Sequence, residues 1–211
     1  LINPPAADEK VWIREGRCQQ WDIWGAPFPP FSLAMISTQL KRIGCQTRII
    51  DSGPQAKDLA AVIHETREFN PHFAFIASAS PTLHSDLHWF LPKLKESLPG
   101  LKVAAFGIHV TALPEQVLEQ YPETDFLILG EPEITAQDLI LAGLGFLNLE
   151  NVKGVAYRDG SDIKQCQRPF LLDIDQLGFP DWEGIRFEHY PLPIIRRPFS
   201  MISFSRGCPF A

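Results

Sequence analysis

Phe73-Ala74-Phe75-Ile76-Ala77 and Leu101-Lys102-Val103-Ala104-Ala105-Phe106 bracket a segment carrying Leu83, Leu87, Phe90, Leu91, Leu94 and Leu98. The two outer runs are short, apolar and bounded by turn residues, as buried strands are. The residues between them recur at helical spacing. A strand, a helix and a second strand in this order make one βαβ unit. Pro92 falls inside the helical pattern and predicts a kink or a split there, because proline lacks a donor and its ring crowds the carbonyl four residues back.

The same rhythm continues on both sides. Leu1-Ile2-Asn3 reads as the end of a buried strand stopped by Pro4-Pro5, so natural sequence is expected beyond both ends of the chain. About 25 residues without periodicity follow, rich in tryptophan (Trp12, Trp21, Trp24) and ending in Pro27-Phe28-Pro29-Pro30-Phe31. Ser32 is read as the cap of a helix with Leu33, Ile36, Leu40 and Ile43 on one face, and Gly44 suits its far end. Thr47–Ile50 reads as a strand ending at Asp51, before a helix carrying Leu59, Val62, Ile63 and Phe69. Beyond Gly107, Pro114 opens a helix, Asp125–Leu129 forms a strand, and Pro132 opens a helix that closes near Gly143. Alternation of this kind implies right-handed crossovers and an α/β, doubly wound parallel sheet of five strands over residues 1–145. Ligands of such sheets bind beyond the carboxyl ends of the strands.

From Val152 the texture changes. Val152–Tyr157, a turn at Asp159-Gly160 and Ile163–Cys166 read as a β-hairpin, and the proline-rich stretch 168–198 as an extended connector with a short helix near Trp182–Phe187. Residues 146–200 are therefore assigned to hairpin and linker. Met201–Phe204 reads as a further strand leading into Ser205-Arg206-Gly207-Cys208-Pro209-Phe210-Ala211.

Composition narrows the function. Apolar residues make up 45% of the 211 residues and the net charge is −6, without a basic tract, which argues against nucleic acid and against an anionic membrane surface. No apolar stretch reaches the roughly 20 residues of a membrane span, and no signal peptide leads the chain. The four cysteines have no paired spacing, as expected of a protein in a reducing, cytoplasmic compartment. A dinucleotide site would need glycines after the first strand, where Asn3-Pro4-Pro5 stands; a phospho-acceptor would need an aspartate after the third, where Ala77-Ser78 stands. Asp51 ends the second strand as a ribose-binding acid would, but stands alone.

A resemblance covers essentially the whole chain. It is carried by Leu1-Ile2-Asn3-Pro4-Pro5, Pro29-Pro30-Phe31-Ser32-Leu33, Ile49-Ile50-Asp51, Ser78-Ala79-Ser80-Pro81-Thr82, Phe106–Glu115 and Gly130-Glu131-Pro132-Glu133. It continues through Gly154–Gly160, Phe179-Pro180-Asp181-Trp182 and Ser205–Phe210. In this order they resemble the N-terminal domain of cobalamin-dependent radical-SAM proteins, a family that includes the anaerobic Mg-protoporphyrin monomethyl ester cyclase and many methyltransferases. The resemblance implies a Rossmann-like sheet of order 2-1-3-4-5. It also implies a role of holding cobalamin against a C-terminal radical-SAM barrel that carries a [4Fe–4S] cluster and S-adenosylmethionine. Residues 201–211 would begin that barrel, and Cys208 would be the first ligand of its cluster in a CxxxCxxC motif. The fragment alone would not catalyse; the whole protein would be a methyltransferase or cyclase.

The resemblance and the loop positions together give Asn3, Pro4, Ser78, Ser80, Thr82, Gly107, His109, Glu131 and Glu133 as candidate cofactor contacts. The ordinary alternatives stay open: Ser78, Ser80 and Thr82 suit a helix cap, Gly107 a positive φ, His109 a structural role, and Glu133 a helix N-terminus. The family usually carries paired glycines and a proline before the histidine of the fourth-strand loop; here Phe106 and Ile108 replace one glycine and the proline, and Phe106 is expected to narrow the cleft. A DxHxxG motif is absent, so cobalamin would lack a histidine ligand. The aromatic loop from Trp12 to Phe31 would cover the corrin or dock the barrel. His84 and His88 share a helix face but lack a third ligand, and Cys18, Cys45 and Cys166 read as incidental thiols. The rival reading is a non-catalytic interaction module that has lost the cofactor and only docks on the barrel.

Overall fold

The computed structural model describes residues 1–8, 10–15, 19–20, 26–169, 171 and 173–206. Among the described residues, nine short strands and six α-helices follow in order: β1 (Ile2–Asn3), β2 (Trp12–Ile13), β3 (Gln19–Gln20), α1 (Phe31–Arg42), β4 (Ile50–Asp51), α2 (Leu59–Phe69), β5 (Phe73–Ala77), α3 (Leu91–Ser97), β6 (Lys102–Phe106), α4 (Ile108–Ala112), α5 (Pro114–Gln120), β7 (Phe126–Ile128), α6 (Pro132–Gly143), β8 (Val155–Asp159) and β9 (Asp162–Cys166).

All but β2 and β3 join one sheet of order β4-β1-β5-β6-β7-β8-β9. The segment from β4 to β7 is parallel, while β8 and β9 pair antiparallel at its end. The expected five-stranded sheet and the order written for it are thus corrected to seven strands. The hairpin is no appendage: Phe126, Leu127 and Ile128 of β7 pair with Tyr157, Ala156 and Val155, which covers an edge that would otherwise expose unpaired backbone. A separate antiparallel ribbon, β2–β3, crosses the long loop that showed no periodicity.

Alternation along the strands builds two cores. Ala74, Ile76, Val103 and Ala105 face a cluster with Val62, Leu87, Leu91 and Leu118, under α2, α3 and α5. Phe75, Ala104, Phe106 and Ile128 face Leu33, Ile36, Leu40, Ala136 and Leu139 of α1 and α6. The sheet is covered on both faces, as a parallel sheet must be. Pro92 has the expected effect: the residues before it, Ser85–Phe90, form a π-helical stretch, and Leu91 N–H reaches back to Asp86 O. The wider turn accommodates the carbonyl that the proline ring displaces.

Three local expectations are corrected. Ser32 does not cap α1; Pro30 occupies the cap position, and the Ser32 N–H and hydroxyl instead donate to Glu15, at 2.8 and 3.1 Å. Met201–Phe204 forms no strand. Its alternating pattern reads as one, but Ile202 and Phe204 are exposed and no partner strand lies beside them among the described residues. The connector contains 3₁₀ turns at Ile174–Leu177 and Phe187–His189 rather than a helix at 182–187. It straps along α1. Gln39 Nε2 donates to Leu177 O (2.7 Å), Arg42 Nη1 to Gln176 O (2.6 Å) and Thr38 Oγ1 to Phe179 O (2.7 Å), while Lys41 pairs with Asp181 and Glu183. No helix among the described residues is long and apolar enough to cross a membrane.

Candidate functional site

The carboxyl ends of β5, β6 and β7 open into a cleft of about 760 Å³. Its walls are Ala77–Pro81, Phe106-Gly107-Ile108, Thr111, Ala112, Gly130 and Pro132, closed on one side by Arg14, Glu15 and Ser32. Its lining is mainly apolar, with a few polar groups such as Arg14, Glu15 and Ser80, the ordinary make-up of a ligand pocket.

Gly107 holds the loops together. Its φ is 144°, and a Cβ at this position would lie 2.0 Å from Ser78 O. The positive φ read from the sequence is present, and the close approach the structure shows is to protein backbone. Ser78 N–H completes the contact by donating to Phe106 O at 2.9 Å. Thr111 ties β6 to β7: its hydroxyl donates to Gly107 O and accepts from Gly130 N–H, both at 2.9 Å.

Behind the cleft lies a buried ion pair that escaped the sequence reading. Arg14 and Asp86 side chains are 3% and 0% exposed. Arg14 grips both carboxylate oxygens, with Nη2 2.7 Å from Oδ1, and also donates to Pro4 O (2.9 Å), Ala77 O (3.3 Å) and Thr82 Oγ1 (2.5 Å). Ser78 and Thr82 donate to the same Asp86 oxygen at 2.9 and 2.8 Å. Burial pushes the Asp86 carboxyl up, and the guanidinium and hydroxyl donors oppose that. The signal was present in the sequence: Asp86 sits on the helix face of Leu83, Leu87 and Phe90, and an acid on a buried stripe needs a cation.

The candidate contacts thus divide. Ser78 and Thr82 line or underlie the cleft but spend their hydroxyls on Asp86, and the Pro4 carbonyl holds Arg14. Ser80 stands exposed at the rim, 3.3 Å from His109 Nδ1. Asn3 lies deeper: its Nδ2 donates to Asp51 Oδ1 (3.0 Å), and Tyr190 of the connector donates to Asp51 Oδ2 (2.9 Å). Glu131 and Glu133 face Arg206. His84 and His88 stack at 4.5 Å, and no group of three metal-ligating side chains occurs among the described residues. Cys18, Trp21, Trp24 and Cys208 lie outside the described residues.

Two acids near the cleft are held above their ordinary range. Burial lifts Glu15 to about 7, helped by the charges of Asp51 and Glu133 and opposed by Ser32. Burial likewise lifts Asp51 to about 6, against the hydrogen bonds from Asn3 and Tyr190. In the unfolded chain these groups ionise near 4, so the native state binds more protons between about pH 4 and 7. The stability they contribute is complete below pH 4 and is lost as pH rises through 6 to 7. Asp125 and Asp181 are shifted down, by Lys95 and Lys41 among other donors, and act oppositely at lower pH. The buried N-terminal amine, held down at about 5 by desolvation, acts in the opposite sense between about pH 5 and 8, so the contribution of Glu15 is read by difference. Relative to the wild type, Glu15→Gln should gain stability as pH rises from about 4 to 7.5; a variant whose melting temperature follows pH as the wild type does would refute the assignment.

The cleft geometry fits the outcome of comparison with known proteins. The B12 binding domain family matches residues 24–140, more than half of the chain. The chain belongs to the B12-binding domain family. This B12-binding domain is 24% identical over 189 residues to an uncharacterized methyltransferase of Pyrococcus horikoshii, covering 89% of the chain and 40% of that protein. It is 27% identical over 188 residues to the anaerobic magnesium-protoporphyrin IX monomethyl ester cyclase of Cereibacter sphaeroides, covering 87% and 30%. The chain spans 30–40% of the length of these curated relatives. Among solved structures, the cobalamin-dependent S-adenosylmethionine radical enzyme OxsB superposes with a TM-score of 0.59 at 20% identity, over 80% of the chain and 22% of OxsB. The radical S-adenosylmethionine methyltransferase TsrM of Kitasatospora setae superposes with a TM-score of 0.59 at 15% identity, over 67% and 28%. These likenesses confirm the doubly wound fold.

Proposed function

We propose that the domain binds cobalamin at the carboxyl ends of β5, β6 and β7 and positions it beside a radical-SAM active site in a longer cytoplasmic enzyme. The observation that carries this is the cleft itself, in a chain of the B12-binding domain family. Its lining suits a large ligand with both apolar and polar parts: walls of alanine and proline, the rim groups Ser80 and His109, and Arg14 and Glu15 on one side. Arg14 Nε is buried without a hydrogen-bond partner and belongs to a residue of the cleft wall.

When bound, cobalamin supplies a redox-active cobalt centre; the protein supplies shape, orientation and exclusion of water. Gly107 keeps the two loop backbones in contact, so the cleft floor is rigid. The Arg14–Asp86 pair fixes the β2 strand over the ends of β1 and β5. Phe106, which replaces a glycine of the family pattern, is 5% exposed and belongs to the core cluster of Leu33 and Ile36, so most of its ring packs away from the cleft. The [4Fe–4S] cluster, S-adenosylmethionine and the barrel with Cys208 as a ligand are carried over from the family resemblance; TsrM holds cobalamin and a [4Fe–4S] cluster, and OxsB holds aqua-cobalamin and S-adenosylmethionine. Purified protein incubated with hydroxocobalamin should keep the red chromophore through desalting at about one per chain. Loss of all colour would favour the rival interaction module.

A further inference from the structure

The connector returns to the cleft at its far end. Arg206 Nη1 lies 2.6 Å from Glu133 Oε1 and 3.8 Å from Glu131 Oε1, and its guanidinium stands over the ring of Phe31, 6.0 Å from the centroid. Glu131 directly precedes α6 and Glu133 lies in its first turn, while Phe31 is the first residue of α1. One guanidinium therefore bridges the starts of the two helices whose neighbouring residues, Ser32 and Pro132, form one wall of the cleft. The Glu133 side chain is 4% exposed, and Arg206, itself 19% exposed, is the cation paired with it among the described residues. A carboxylate at that depth without a partner is costly, so the docked arrangement is favoured over a free one. A second anchor lies seven residues upstream, where the rings of Phe199 and Phe28 meet edge to face at 5.6 Å. Between the anchors, Ile202 and Phe204 are 77% and 88% exposed.

We infer that Arg206 is a positioning residue that pins residues 199–206 to the carboxyl edge of the sheet, presents Ile202 and Phe204 outward, and fixes where the chain leaves the cleft mouth. The inference deepens the proposed function, on which its biological meaning rests: the chain toward Cys208 would start from a fixed place beside the cofactor. Arginine suits the task better than lysine, because the planar fork meets two carboxylates and stacks on a ring at once.

Backbone amide NMR order parameters of the 211-residue chain, without cofactor, test this with Arg206→Met and Arg206→Lys. Arg206→Met should lower the order parameters of residues 199–206 to below about 0.6 while those of β5 and β6 stay near about 0.85. Arg206→Lys should fall between Met and the wild type, a rescue expected from retained charge and not from side-chain bulk. Wild-type order at 199–206 in the Met variant would overturn the inference, as would a Lys variant indistinguishable from Met. Should Arg206→Met unfold the sheet, Arg206→Lys alone decides, by lower order at 199–206 over an intact sheet or by none. Failure of the wild type to hold hydroxocobalamin would refute the proposed function and leave the order parameters to decide the role of Arg206.

Discussion

Arg14→Met should cost the domain about 3–5 kcal/mol of stability, because it strips the counter-charge from a fully buried carboxylate. Asp86 would keep only the hydroxyl donors of Ser78 and Thr82. Pro4 O and Ala77 O would also lose a donor, which unties the β2 strand from the ends of β1 and β5. The cost should be pH-dependent with a definite sign. In the variant the lone Asp86 prefers to be neutral, so the deficit shrinks in mild acid and grows as pH rises. Asp86→Asn added to Arg14→Met should recover part of the loss, since an amide is cheaper to bury than an unpaired charge. Urea denaturation of the two single variants and the double checks this; simple additivity would mean that the pair is not an energetic unit.

Gly107→Ala should be the most damaging single methyl group in the domain, at about 3 kcal/mol or more. Two costs add there: a φ of 144° that side chains rarely adopt, and a Cβ 2.0 Å from a backbone oxygen that no rotamer change relieves. Gly145 is the control. It has a φ of 80° with nothing within 4 Å, so Gly145→Ala carries the conformational cost alone, about 1 kcal/mol. Equal losses at the two positions would show that the contact between the loops of β5 and β6 is not tight. The same substitution should weaken hydroxocobalamin binding, because the loops that frame the cleft must move apart.

These two sites show what the sequence could and could not disclose. The parallel strands were legible because Phe73–Ala77 and Leu101–Phe106 are apolar runs with no second interpretation once helical segments flank them. Pro92, Pro114 and Pro132 marked a helix disturbance and two helix starts because proline constrains backbone locally. Pairing of the hairpin onto β7 was not legible, since strand periodicity says nothing of the partner. Glu15 as a cap for Ser32 and Tyr190 as a donor to Asp51 were beyond local reading for the same reason, the latter spanning 139 residues. Met201–Phe204 shows the opposite failure: an alternating pattern with no neighbour to pair with is not a strand. At the site, Ser78, Thr82 and Gly107 were found as special positions, yet their partners proved to be protein groups, because a loop that frames a ligand must first be held in place itself.

The central claim, the proposal that the cleft beyond β5, β6 and β7 receives cobalamin, is tested most directly by titrating the chain and its Gly107→Ala variant with hydroxocobalamin. The account predicts one hydroxocobalamin per chain and at least about tenfold weaker binding by the variant. Equal affinity of the two proteins, or no binding by either, would contradict it.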